Sequence, residues 1–339
     1  MQYTALINRF LAYLCPPLFF LLASCGEPQP PLAFPFDHGP HFDARTEWWY
    51  FTGDVMTTDG KRLGFECTIF KRWLLNHQNF GFIGHVALSD PEKAEHMVSE
   101  SVTSPPVPGI EEGKADMQLN NFSYTYSESE GFLVKGKGEN LSVDAVLRPG
   151  ADVVPHGQDG VIAMGDGMPS YYYSYPDLST AGRISHNGSE YVIASGRTWM
   201  DHQWGNYTIF GCMWDWFSLR LDNGGSLMLF RFRDAFNTSI RSNWTYSSAE
   251  GAVRYGEYFD VRAARTYKDV SGQCAYPLDW KITVPDLNAV FTVQPLFDGQ
   301  AVASTMIPDY WEGLCSVTGS LEGKQAMGSA YVELTGYCK

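Results

Sequence analysis

Asp201 and His202 sit side by side, followed by Gln203 and Trp204, in a stretch (residues 195–218) that also holds Trp199, Trp214 and Trp216. A carboxyl walled by indoles loses solvation; its pKa rises, and it can stay protonated near neutrality as a general acid. Indole and phenol faces could then stabilise the carbocation such a proton creates. On a strand, Asp201 and Gln203 point to one side and His202 and Trp204 to the other, so only one pair can face a given cavity. The same residues have a structural use: Asp201 and His202 hydrogen-bonding a junction between two units, with Trp204 and Trp214 filling the interface. Upstream, Glu47-Trp48-Trp49-Tyr50-Phe51-Thr52-Gly53 echoes the pattern. Glu47 is either the corresponding acid or a strand-entry residue paired with Arg45, Arg62 or another cation. The two stretches are expected to line the functional region.

Other chemistries lack their residues. No Gly-x-Ser-x-Gly occurs, which removes the nucleophile elbow of an α/β-hydrolase. Phosphate- and dinucleotide-binding glycine loops are missing, as is His-Glu-x-x-His. His38 and His41, near Asp37 and Asp43, could chelate a metal, but without a second ligand cluster nearby in sequence they read as a polar turn, and no metal or cofactor is expected. A net charge of -14 is the wrong sign for holding phosphate backbones, so nucleic acid is not an expected partner.

The elements that position these residues read as β-strands. Helix-period apolar stripes are hard to find, whereas short β-branched and aromatic runs alternate with turn residues, including 33 glycines. Residues 47–73 read as strand, Asp59-Gly60 turn, strand; residues 214–233 repeat the plan around Asn223-Gly224. Both second strands end in aromatic and basic residues, Phe70-Lys71-Arg72 and Phe232-Arg233. Tyr-Val-x-x-Ser/Thr-Gly recurs at 191–196 and 331–336, which suggests a tandem duplication of one β unit. An all-β chain of two antiparallel barrels follows, since closure removes exposed edges. Residues 99–113, with three prolines, read as a loop, and 170–176 as an aromatic strand ending at Pro176. That tyrosine run is either an exposed sheet face or the rim of an apolar mouth, with Tyr172 a candidate ligand contact.

Residues 1–24 are apolar, carry only Arg9 and are broken by Pro16-Pro17, the pattern of a signal peptide. They end in Leu22-Ala23-Ser24-Cys25, which resembles a bacterial lipobox, so Cys25 is expected to carry lipid, with residues 25–36 as a tether. The expected location is the cell envelope, at the outer membrane facing the periplasm. The units would then span residues 37–208 and 209–339. Of Cys67, Cys212, Cys274, Cys315 and Cys338, the pairing Cys274–Cys315 is preferred because both lie in the last third.

The motifs Glu47–Gly53, Thr198–Gly205, Trp214–Ser218 and Tyr310–Gly313 together resemble the AttH-like family, secreted proteins related to carotenoid 1,2-hydratase (hydroxyneurosporene synthase). That resemblance implies two lipocalin-like barrels in tandem. It also implies cofactor-free hydration of an isoprenoid double bond by protonation and capture of a tertiary cation. It makes Asp201 the candidate acid, His202 its polar partner and Trp204 the cation-facing ring. Glu47, Trp48, Trp49 and Tyr50 would line the neighbouring wall, and Trp199, Gln203, Trp214 and Trp216 complete the candidate ligand contacts. Secreted members are found with ABC-type exporters, which points to lipid or apolar-metabolite handling. Two functions are therefore expected: foremost, a lipid-anchored module that binds an apolar small molecule or lipid; alternatively, a cofactor-free hydratase or isomerase.

Overall fold

The computed structural model describes residues 30–73, 80–165, 167–207 and 213–338. The expected signal peptide, Cys25 and Cys212 lie outside these residues. Residues Pro31–Lys339 form one compact unit. The described residues form 22 strands joined by turns and loops, and their helical segments are two short 3-10 turns at Phe36–His38 and Pro285–Leu287. It builds two curled antiparallel sheets in a tandem barrel arrangement. The strands of the first lie between Thr46 and Gly205, and those of the second between Met213 and Thr335.

The duplication read from the hairpins is visible in the strand order. The first sheet is centred on Arg62–Trp73, Thr46–Thr57, Ser189–Gly205 and Pro169–His186, hydrogen-bonded in that order. The second repeats it with Ser226–Arg233, Met213–Leu221, Lys324–Thr335 and Tyr310–Leu321. The closing match, however, is out of step. In register, Thr52 pairs with Trp199, and the corresponding Ser218 pairs with Tyr331. Tyr331 therefore corresponds to Trp199 and not to Tyr191, eight residues away.

These central strands are buried on both faces, which is why their sequences lack polar alternation. In Thr46–Thr57, Trp49, Phe51 and Val55 fill the first barrel. Tyr50, with Trp48 beside it, faces the second sheet. In Met213–Leu221, Phe217, Leu219 and Leu221 fill the second barrel, while Trp214 and Trp216 face the first. The tyrosine strand runs through Pro176 to His186, with the ladder slipping between Tyr175 and Leu178, so the expected end at proline is corrected to a bulge. The loop expected over 99–113 begins later, since Glu95–Thr103 is a strand paired with Phe80–Asp90.

Cys274 is bonded to Cys338, not to Cys315, which is buried and free in the second core. The bridge fastens the C-terminal end to the strand beginning at Ala275. It closes a loop of 64 residues. Chain-entropy reasoning makes it worth about 2–4 kcal/mol. Reduction should lower the denaturation midpoint accordingly, as followed by tryptophan fluorescence in urea; an unchanged midpoint would show that the bridge adds nothing.

Candidate functional site

The two sheets present their equivalent central strands to each other and leave between them a cavity of about 210 Å³. Its walls come in matched pairs from the two halves: Trp48 and Trp214, Tyr50 and Trp216, Tyr172 and Tyr310, Gln203 and Thr335, and the carboxyls Asp201 and Glu333. Each sheet also sends a contact across. Trp216 Nε1 donates to Tyr172 Oη at 2.9 Å, and Tyr50 Oη donates to Glu312 Oε1 at 2.5 Å.

Asp201 is buried and receives three donors: Tyr172 Oη at 2.7 Å, Trp199 Nε1 at 2.6 Å and a very short bond from Ser174 Oγ. Ser174 Oγ also lies 2.6 Å from His156 Nε2. Burial pushes Asp201 up to about 7, even though these hydrogen bonds favour its ionised form. Glu333 is half-buried and open to the cavity. Burial first and the nearby Glu66 second raise it to about 8, against a hydrogen bond with Trp214. Behind the wall, burial lifts Glu66 to about 7 and holds Glu312 well above the usual carboxylate range. Glu66 Oε1 accepts from Tyr310 Oη at 3.0 Å, and that hydroxyl lies 2.8 Å from His85 Nδ1.

Strand parity sorts the expected residues. Asp201, Gln203, Trp48, Tyr50, Tyr172, Trp214 and Trp216 line the cavity. Trp199 stands behind them as a donor to Asp201. His202, Trp204, Glu47 and Trp49 do not reach it, because each points to the opposite face, into the first barrel. Trp204 therefore does not wall this cavity, and His202 is not among the groups that bond Asp201. Trp204 stacks on His41 at 4.0 Å, and Trp49 stacks on His202 at 4.7 Å. Glu47 is the paired strand-entry residue, but its cation is Lys71, with Nζ 3.1 Å from Oε2. Its other oxygen lies 2.7 Å from His41 Nδ1 and 3.0 Å from His202 Nε2. His41, Glu47 and His202 are metal-ligand types within 4.8 Å of one another. Their polar atoms are engaged by one another, by Lys71 and by Asp37, an arrangement complete as an ion-pair network.

Sequence reasoning missed Glu333, Tyr310, Phe70, Phe230, Arg72 and Thr335 as cavity residues. Correct alignment of the repeat would have found Glu333: with Tyr50 matched to Trp216, their cross-strand partners Asp201 and Glu333 are matched too.

Among curated proteins, the chain is 23% identical over 206 residues to the kievitone hydratase of Fusarium solani subsp. phaseoli, covering 58% of this chain and 57% of that protein. It is 22% identical over 249 residues to the dehydratase asqC of Emericella nidulans, covering 67% and 66%. The matches thus span less than two thirds of either relative. Among solved structures, an AttH protein from Nitrosomonas europaea superposes with a TM-score of 0.83 at 29% identity, covering 92% of this chain and 98% of that one. The kievitone hydratase of Nectria haematococca gives 0.76 at 20% identity, covering 91% and 94%, a likeness of fold. The AttH-like family model matches residues 25–337, nearly the whole span described above, and the chain belongs to the AttH-like family.

Proposed function

We propose that this protein is a cofactor-free hydratase or dehydratase acting on an apolar substrate held between its two barrels. The observation that carries this reading is a pair of carboxyls, Asp201 and Glu333, set into an indole- and phenol-walled cavity and both raised into the neutral range. Binding alone, the function expected foremost from the sequence, does not need two such acids. The similarity to a named hydratase and a named dehydratase also supports turnover.

The donor sets divide the roles. Three donors on Asp201 suit a carboxylate, whereas Glu333, which has a hydrogen bond with Trp214 to favour its ionised form and the nearby Glu66 to oppose it, suits the acid. In hydration, the Glu333 proton passes to one alkene carbon as the π pair forms the C–H bond, leaving a tertiary cation. Trp48, Trp214 and Trp216 present the rings that stabilise it. A water oxygen then forms the C–O bond, and its proton goes to Asp201. Exchange with solvent restores the starting protonation, and dehydration is the reverse sequence. A lipid tether at Cys25 would hold this site at a membrane surface where such substrates partition.

The test is conversion of a prenylated phenol by purified protein in water enriched with heavy oxygen, with no cofactor added. Label should enter a tertiary alcohol. Because Asp201 must be ionised and Glu333 protonated, activity should rise as pH passes about 7 and fall as it passes about 8. Tight binding of such compounds, with no label incorporation across alkenes and tertiary alcohols, would sink the enzymatic reading.

A further inference from the structure

We propose that Arg72 anchors an anionic oxygen of the ligand, so that the cavity selects an aromatic or prenyl-like molecule bearing a carboxylate or phenolate at one end. Among the described residues lining the cavity, Arg72 carries the one guanidinium or ammonium group. Its Nη1 donates to Thr46 Oγ1 at 3.1 Å, but among the described residues the buried Nη2 has no acceptor and no carboxylate pairs with the side chain. A half-buried cation whose inner donor is unused is costly unless a ligand supplies the acceptor. Burial lowers Arg72 only to about 10, so it stays charged at neutral pH.

The cavity carboxyls do not fill this need. Arg72 pairs in register with Thr46, whereas Asp201 pairs with Tyr50, four residues along the same strand. That is about 13 Å of strand. Asp201 is already held by Tyr172, Ser174 and Trp199, and Glu333 by Trp214. An acid-rich cavity therefore has a cationic end. Phe70, with its ring centroid 5.9 Å from the guanidinium, gives that plane a surface to rest on. A planar fork of donors takes a carboxylate in two parallel bonds. The ligand would then lie with its anionic end at Arg72, its apolar body along Trp48 and Trp214, and its reactive end toward Asp201 and Glu333.

This inference concerns recognition, so it is tested by binding and is independent of turnover. Calorimetric titration of the full chain near neutral pH would compare naphthoate with its uncharged isostere naphthamide. Wild type should bind naphthoate roughly tenfold or more tightly than the amide. Arg72→Met should erase that ratio by weakening naphthoate far more than the amide, and Arg72→Lys should keep part of it. If Arg72→Met fails to fold, Arg72→Lys decides the matter. A ratio that survives either Arg72 substitution at full size overturns the proposal, as does wild type that binds the amide equally well or does not bind naphthoate at millimolar concentration.

Discussion

Asp201→Asn should lower kcat/KM for hydration by about a hundredfold to ten-thousandfold, the range over which a positioned acid or base acts. The amide keeps an acceptor for Trp199 and Ser174 but cannot take the proton of the attacking water. Glu333→Gln should cost a similar factor by removing the proton donor, and the two losses should be far from additive, since the groups act in one step. The limbs of the pH profile separate the roles. Asparagine at 201 should remove the limb near 7, and glutamine at 333 the limb near 8. Both variants should retain wild-type melting temperatures to within a few degrees, so that a lost rate is not a lost fold. Steady-state assay of alcohol formation across pH checks this; a kcat/KM within threefold of wild type in either variant removes that residue from the mechanism.

Lys71→Ala should cost about 3–5 kcal/mol of stability without touching the cavity, because it strands a buried charge. The ammonium is fully buried, 3.1 Å from Glu47 Oε2 and 2.7 Å from the Ala44 carbonyl, which accepts from it. Burial favours protonated Glu47, but Lys71 first and then His202 and His41 hold it well below the usual carboxylate range. Removal of the lysine leaves that carboxyl shielded from water with weaker compensation. In the second barrel Arg233, at the position equivalent to Lys71, likewise meets a buried carboxylate, its Nε 3.1 Å from Asp215 Oδ1, although that acid stands where the first barrel has Trp49. Guanidinium melts of Lys71→Ala, read by circular dichroism, should show the loss, and a loss under 1 kcal/mol would make the pair dispensable.

The same network gives stability a pH dependence. Burial alone would lower His41, but hydrogen bonds from its ring to Asp37 and Glu47 raise it to about 9 from 6.5. A histidine raised on folding binds its proton more tightly in the native state. Its contribution is therefore complete below pH 6.5 and is lost as pH climbs toward 9. The loss is on the order of 3 kcal/mol. Chemical denaturation at intervals across that window should show falling stability, and His41→Gln should flatten the curve.

Much of this was legible in the chain. Aromatic runs bounded by Asp-Gly and Asn-Gly turns announced strands and hairpins, and the Trp48 and Trp214 segments announced a duplicated plan, because strand formation and turn geometry are local properties. Period-two logic also stated that Asp201 and His202 face opposite ways. It could not say which face met the cavity, since both faces of the central strands are apolar and aromatic.

Sequence by itself determined the all-β class, the repeated hairpin plan and the placing of an acid amid indoles, all of which follow from side-chain type and spacing. Only the tertiary structure decided that Asp201 looks into the cavity while His202 and Trp204 look away, and that Glu333 stands as its counterpart. It also decided that Lys71 belongs to Glu47 and Cys338 to Cys274. These are contacts between residues far apart in the chain, and register across two packed sheets selects them.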